Sequence, residues 1–144
     1  MRIELSRRGD YAVRAVLALA EQDGDGPLSA RVISEQMGIP VRFLPHVLSD
    51  LVAAGLITGR TGRSGGYRLA LPADEVDLLR VLDAIETDHG VPRCVLRGGP
   101  CDPDGRCAVH DVFAAASAAM RDRLGGSTLA DIARADRRLG DGTP

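Results

Sequence analysis

The chemistry of this sequence is concentrated in one segment. The three cysteines, Cys94, Cys101 and Cys107, are the only ones in the chain, and His110 follows the last of them by three positions. Thiolates and imidazoles are ligands of zinc and of iron–sulfur clusters. The intervening gaps of six and five residues are rich in Gly, Pro and Asp, and neither is the two-residue spacing of a zinc knuckle. The spacing predicts a loop around a metal group larger than one ion, with a zinc site, a metal-free thiol switch, a disulfide or ordinary core cysteines as alternatives.

The composition indicates one small domain with an aliphatic, helical core. The chain has 144 residues, of which 44% are hydrophobic and only 3% aromatic. All 18 basic residues are arginine, and the net charge is −2. Residues 42–68 nevertheless hold four arginines and a single acidic residue, Asp50. A basic segment on a nearly neutral chain favours nucleic acid only when a binding motif accompanies it.

The N-terminal region has no feature of a secretion signal. Its apolar run is interrupted by Arg14, and no small-residue cleavage site follows. No stretch approaches the ~20 apolar residues of a membrane span. We therefore expect a cytoplasmic protein without membrane association, where stable disulfides are rare and clustered cysteines bind metal or sense redox state.

Apolar periodicity and capping residues predict the elements that position the cysteines. Ser6 and Ser29 are N-cap candidates, and Gly38 is placed to end the second helix. We expect helices over 7–22, 30–37, 41–54, 74–87, 108–124 and 128–139, and β-prone runs over 56–60 and 67–71. The fold class is therefore mainly α with a small β-hairpin.

The order of helix, short helix, tight turn, helix and hairpin predicts a winged helix-turn-helix. In such a module the third helix enters the major groove, and a glycine-rich hairpin tip carries arginines to the DNA backbone or a narrow minor groove. Winged modules that bind only protein share this order. The residues expected to contact DNA are Arg42, His46 and Ser49 of the third helix and Arg60, Arg63 and Ser64 of the hairpin tip.

Several segments, in order, resemble the Rrf (type two) family of bacterial winged-helix transcriptional regulators, and within it the iron–sulfur sensors of the IscR and NsrR type. They are GDYAVRAVLALA, ISEQMGIPVRFLPHVLSDLVAAGLI, GRSGGYRLA, LLRVLDAIE, the three-cysteine loop and TLADI, and the resemblance spans about residues 1–132. The resemblance implies a homodimer that binds palindromic double-stranded operator DNA and is held together by the helix after the cysteines. It also implies one 2Fe–2S cluster per subunit, bound by Cys94, Cys101 and Cys107, which reports iron–sulfur status, redox stress or nitric oxide.

The resemblance leaves two candidates for the fourth cluster ligand. IscR-like members use a histidine three residues after the third cysteine, which is His110 here. NsrR-like members use an aspartate from the first helix of the partner subunit, which matches Asp10. We favour His110. Pro45 and His46 replace polar residues expected at base contacts, and the first cysteine gap is one residue longer than expected, so the operator sequence does not transfer.

The expected organisation follows from these assignments. The DNA-binding domain covers 1–72, a connecting helix 73–93, the cluster-binding loop 94–107, the dimerisation and C-terminal helices 108–139, and a tail 140–144. The sequence contains no nucleophile–base pair and no cofactor-binding loop typical of an enzyme. We therefore expect a regulator that has no small-molecule substrate.

Overall fold

The computed structural model describes residues 2–22, 24–86, 93–96, 98–99 and 107–140. Within these ranges the fold is mainly helical with one antiparallel hairpin, which confirms the predicted fold class. The elements in chain order are α1 (Arg7–Glu21), α2 (Ala30–Met37), α3 (Leu44–Ala53), β1 (Ile57–Arg60), β2 (Gly66–Leu69), a 3₁₀ helix (Ala73–Glu75), α4 (Leu78–Ile85), α5 (His110–Gly125) and α6 (Leu129–Gly140). No helix in these described ranges is long and apolar enough to cross a membrane.

Helix α1 is the centre of the fold. The Ser6 side chain caps it, as predicted, by accepting a hydrogen bond from the Gly9 amide at 3.0 Å. Helices α2, α3, α4 and α6 and strand β2 all contact α1. Ala12, Ala15 and Val16 are completely buried, and the small alanines let neighbouring helices approach closely. The hydrophobic core is therefore built around α1.

The turn between α2 and α3 follows the local sequence signals. Ser29 caps α2 through the Val32 amide at 3.2 Å. Gly38 ends α2 in the left-handed region, at φ +64°, where glycine carries no steric cost. Helix α3 begins at Leu44, three residues later than predicted, and Pro45 lies in its first turn, where a missing amide hydrogen is tolerated.

The hairpin forms the predicted wing, and a contact from the α1–α2 loop supports it. Strands β1 and β2 pair in the register Ile57↔Leu69 to Arg60↔Gly66. On the other edge of β2, the Leu28 amide donates to the Tyr67 carbonyl at 2.9 Å and the Tyr67 amide donates to the Leu28 carbonyl at 2.7 Å. The sequence did not predict this bridge, because nothing local to residue 28 indicates its partner.

The predicted helix over 74–87 is wrong at its start. Residues 73–75 form a 3₁₀ helix, Val76 is extended, and α4 begins at Leu78 after an Asp77 cap that accepts from the Arg80 amide at 2.8 Å. The extended segment pairs with the residues before α6: the Leu78 amide donates to the Ser127 carbonyl at 2.9 Å. This long-range pairing keeps Val76 extended, although the apolar periodicity of the sequence places this residue in a helix.

The two C-terminal helices differ in how much they contribute to the core. Leu129 and Ala133 of α6 are buried, and α6 packs on α1 and the 3₁₀ helix. The Thr128 hydroxyl accepts from the Asp131 amide at 3.1 Å and donates to its carboxylate at 2.8 Å, which lowers the pKa of Asp131. Helix α5, by contrast, has no buried residue. It is attached to α4 near its end by a bidentate pair in which Arg121 donates to Asp83 at 2.8 and 3.1 Å.

The bridge to Leu28 predicts that glycine is required at the start of β2. Gly66 has φ +135°, and a Cβ there would lie 2.6 Å from the Leu28 carbonyl oxygen, whereas Gly62 has φ +104° with nothing within 4 Å of its Cβ position. Both Ala variants are strained, but only Gly66→Ala clashes with backbone. We expect its loss of unfolding free energy, measured by urea denaturation, to exceed that of Gly62→Ala by more than ~1 kcal/mol. Equal losses would show that the close approach is not needed.

Candidate functional site

Helix α3 is held by its apolar stripe and leaves a polar side exposed. The buried residues are Leu44, Val47, Leu48 and Leu51, the stripe predicted from the sequence. His46 and Ser49 lie on the exposed side, and Arg42 is exposed in the turn that leads into the helix. The fold therefore brings these three candidate DNA contacts to the exposed side of α3 and the turn that leads into it, and the N-terminal end of this helix is the part that reaches base edges in helix-turn-helix proteins.

An aromatic pair orients the arginine at the start of this helix. The Arg42 guanidinium carbon lies 4.8 Å from the centroid of the Phe43 ring, within the range of a cation–π contact. Phe43 in turn contacts Tyr11 of α1, with ring centroids 5.9 Å apart and an interplanar angle of 32°. Residue 43 makes no side-chain capping bond at the start of α3, so its ring is available for these two contacts. Neither Tyr11 nor Phe43 was predicted to belong to the site.

The wing presents its candidates at the tip of the hairpin. Arg60 ends β1, and Arg63 and Ser64 lie in the turn between the strands, where all three side chains are exposed. The turn is closed by a bond from the Gly65 amide to the Gly62 carbonyl at 3.1 Å. A Cβ on Gly65 would lie 2.3 Å from the Arg60 carbonyl oxygen, so the tip is too tight for a side chain there. The assignment of these three residues to DNA stays a prediction.

An ion pair that the sequence did not indicate joins α1 to α3. The Arg8 guanidinium donates to the Asp50 carboxylate, the one acidic side chain of α3. The two residues are 42 positions apart, and no periodicity or motif marks Arg8. Only the basic character of residues 42–68, in which Asp50 is the single exception, could have drawn attention to this carboxylate.

The cysteine segment is described at its two ends. Cys94 is buried, its amide donates to the Gly99 carbonyl at 2.7 Å, and its carbonyl accepts from the Gly98 amide at 2.8 Å. Cys107 is partly buried and lies one turn before α5, with its carbonyl accepting from the His110 amide at 3.0 Å. Within the part of the chain that the structure describes, these two cysteines are not joined by a disulfide.

The structure leaves the predicted ligand set open. Cys101 lies outside the described residues, as does most of the predicted 94–107 loop. No group of three or more His, Cys, Asp or Glu side chains suited to a metal ion occurs among the residues that the structure does describe. The thiol and imidazole donors nonetheless fit an iron–sulfur cluster or zinc chemically, with Cys107 and His110 within one turn of each other.

Asp10, the second candidate for the fourth ligand, already has a partner in the same chain. The Arg14 guanidinium donates to both of its carboxylate oxygens, at 3.0 and 2.8 Å, and also to the Met37 carbonyl at 3.1 Å. This network ties α1 to the end of α2. Asp10 therefore stabilises the helix-turn-helix, a role that does not depend on a bound cluster.

Comparison with known proteins places these features in a family. The family model Rrf2, described as an iron-dependent transcriptional regulator, matches residues 5–135. The HTH-type transcriptional regulator IscR of Aliivibrio salmonicida (strain LFI1238) is 32% identical over 130 residues, which cover 90% of this chain and 77% of that protein.

Solved structures give the same result for the fold. CymR, the global cysteine regulator of B. subtilis, superposes with a TM-score of 0.79 at 25% identity, over 92% of this chain and 98% of that chain. IscR of T. potens superposes with a TM-score of 0.74 at 25% identity, over 93% of this chain and 88% of that chain. The likeness to both structures therefore extends beyond the winged helix into the region that contains α4, α5 and α6.

Proposed function

This chain belongs to the Rrf2 family of transcriptional regulators, and from that premise we propose that it senses iron–sulfur status, redox stress or nitric oxide through a 2Fe–2S cluster. Its IscR-like relatives are DNA-binding transcriptional regulators, which confirms both the resemblance and the expectation that the chain is not an enzyme. The sensing step is our proposal. The observation that carries it is the placement of Cys94 and the Cys107–His110 pair between α4 and α5 of such a regulator.

The proposed cluster ligands are Cys94, Cys101, Cys107 and His110. A bound cluster supplies a group that oxidants and nitric oxide can alter, while the protein provides the ligands and limits access of solvent. Burial of Cys94 supports this role because a sheltered thiolate ligand is protected from exchange with water. His110 is the first residue of α5, so a ligand there joins the cluster directly to that helix.

We favour His110 over the partner subunit's Asp10 because of the contacts that Asp10 makes. Asp10 is held by two hydrogen bonds from Arg14, and ligation would have to break or share them. The Asp10 and Arg14 side chains are 40% and 41% exposed, so their pairing contributes little to stability, but it holds the carboxylate against its own chain. His110 requires no such rearrangement of the helix-turn-helix.

The end of α4, which precedes the cysteine segment, contacts the start of α1 in the DNA-binding domain. Glu86, the residue after α4, accepts a hydrogen bond from the Ser6 hydroxyl at 2.5 Å, and Ser6 is the cap of α1. Helix α1 is joined to α3 by the Arg8–Asp50 ion pair. We propose that cluster loss changes the position of α4 relative to α1 and, through these contacts, the presentation of α3.

A metal-free thiol switch is the second candidate. It is favoured by the likeness to CymR, a cysteine regulator, and by the presence of two cysteines, Cys94 and Cys107, in the described part of the chain. A zinc site is chemically possible with the same donors. Mass spectrometry of the native protein, with and without alkylation, separates the three because cluster, zinc and oxidised thiols have different masses and labelling.

The exposure of α5 supports a homodimer. Most helical stability in proteins comes from tertiary packing, yet no residue of α5 is buried in the single chain. Five of its apolar residues, Val112, Phe113, Ala116, Ala119 and Met120, fall at the i, i+1, i+4, i+7 and i+8 positions that form one side of a helix, and this side carries its large exposed side chains Val112, Phe113 and Met120. We propose that a second copy of the chain covers this side, and that the dimer binds palindromic operator DNA in the bacterial cytoplasm.

DNA binding through α3 predicts a sequence-specific loss in Arg42→Ala. An operator duplex selected from random DNA and a scrambled duplex serve as probes, and affinity is measured by fluorescence anisotropy. We expect the variant to lose about 1–3 kcal/mol of binding free energy on the operator and less on the scrambled duplex, since base contacts determine specificity. The control is Arg134→Ala, which removes an exposed arginine from α6. Equal losses on both duplexes would contradict a base-reading role.

The cluster predicts a brown protein when purification excludes oxygen. We expect visible absorption together with iron and acid-labile sulfide, all lost in Cys94→Ala, Cys101→Ala and Cys107→Ala. His110→Ala should lose or strongly shift the absorption, because it removes a ligand, whereas Asp10→Asn should retain it. Absence of iron and sulfide from the anaerobic protein would exclude the cluster, and bleaching by Asp10→Asn but not by His110→Ala would reverse the ligand assignment.

The dimer predicts that a charge on the apolar side of α5 yields monomers. Ala116→Glu places a carboxylate amid Val112, Phe113, Ala119 and Met120, where burial of an unpaired charge is costly. Sedimentation velocity should show a dimer for wild type and for Asp122→Asn, a control on another side of α5, and a monomer for Ala116→Glu. A dimeric Ala116→Glu protein would place the subunit interface elsewhere.

A further inference from the structure

A cleft lies beside α3, and of the residues that line it only His46 is among the DNA contacts predicted so far. It lies between the first turns of α1 and one edge of α3 and has a volume of about 440 Å³. Its lining residues are Arg7, Arg8, Tyr11, Phe43, His46, Val47 and Asp50. His46 belongs both to this cleft and to the exposed side of α3. The cleft is therefore continuous with the proposed DNA-reading surface.

The side chains of the cleft carry a net positive charge. Arg7 and Arg8 contribute two guanidinium groups against the one carboxylate of Asp50. Arg8 donates to Asp50, while Arg7 is exposed and forms no ion pair with the described part of the chain. An arginine presents five N–H donors, so the pair with Asp50 leaves donors of Arg8 available as well. The cleft is thus chemically complementary to an anion with several acceptor oxygens.

Asp50 has no evident value for stability or for attraction of DNA by itself. Exposed ion pairs contribute little to folding, and the Arg8 and Asp50 side chains are 54% and 37% exposed. It is also the only acidic residue from position 36 to position 73, where an unpaired carboxylate would repel phosphates. The contact with Arg8 gives Asp50 a role, because the carboxylate holds a flexible arginine at the edge of α3. The positive charge of Arg8 also offsets the negative charge of Asp50 there.

The aromatic side of the cleft connects it to Arg42. Tyr11 and Phe43 line the cleft, and the Arg42 guanidinium lies over the Phe43 ring. The cleft and the base-reading end of α3 therefore share the Phe43 ring. An anionic group of the DNA bound in the cleft would therefore fix the position of α3 on the DNA.

We infer that this cleft binds a backbone phosphate of the operator DNA, with Arg7 and Arg8 as the donors and Asp50 as the residue that positions Arg8. The inference rests on the proposed DNA-binding function and assigns a contact that lies outside α3 and the wing. Such a phosphate contact carries no sequence information, but it sets the register and orientation of the recognition helix. The first turns of α1 thereby become part of the interface.

The salt dependence of DNA binding tests this contact. Affinity for the operator and scrambled duplexes is measured over a range of salt concentrations for wild type, Arg7→Ala and Arg8→Ala, all purified in the same way. Each lost phosphate contact should reduce the slope of log K against log salt by about 0.9 and weaken both duplexes by similar factors. Arg8→Lys should restore the slope, since lysine also binds phosphate as a point charge.

A matched arginine–aspartate pair supplies the control. Arg134 and Asp131 of α6 form an ion pair with 58% and 55% exposed side chains, and α6 packs on α1 and the 3₁₀ helix. Arg134→Ala should leave the slope unchanged. Thermal unfolding of every variant shows whether it is folded under the binding conditions.

Asp50→Asn separates positioning from charge. It retains Arg8 but removes the carboxylate that holds it, so we expect an undiminished slope with a several-fold lower ratio of operator to scrambled affinity. An unchanged slope in both Arg7→Ala and Arg8→Ala, with wild type showing a steep one, overturns the phosphate site while DNA binding stands. Wild-type protein without salt-dependent binding to either duplex overturns the proposed function, and this inference with it.

Discussion

The burial of α1 is the constraint on which the other elements depend. Its alanines allow α2, α3, α4 and α6 to pack around one helix with little space between their backbones. A larger side chain at Ala12 or Ala15, both completely buried, would have to displace a neighbouring helix. Because α3, the proposed DNA-binding helix, and α4, which leads to the cysteine segment, both pack against α1, the packing of this one helix determines their relative position.

The same helix links the core to the charged surface. Its first turns carry Arg8, which pairs with Asp50, and Tyr11, which supports Phe43 beneath Arg42. These contacts are exposed or partly exposed, so they contribute little to stability. Their effect is on side-chain geometry: they set the positions of Arg8 and Arg42 beside the N-terminal end of α3, whose backbone is held by its buried stripe.

The cysteine region depends on a different kind of stabilisation. It contributes Cys94 to the buried residues, but α5, which follows it, has no buried residue in the single chain. The proposed metal group, by joining Cys94 to Cys107, would link the two ends of the segment between α4 and α5. The proposed second copy would cover the exposed side of α5. Loss of either would act first on α4 and α5, and on α1 through the Ser6–Glu86 hydrogen bond.

The sequence by itself determined the features whose signals are local. The caps Ser6 and Ser29, the Gly38 turn, the buried stripe of α3 and the wing could be predicted because each depends on residues within a few positions of one another. The cysteine spacing predicts a joint role for three thiols and a histidine, and that role stays a prediction. Only the tertiary structure decided the start of α4, the Leu28–Tyr67 bridge and the Arg8–Asp50 pair. These contacts join residues far apart in the chain, and their partners are chosen by how helices pack around α1, which no local pattern encodes.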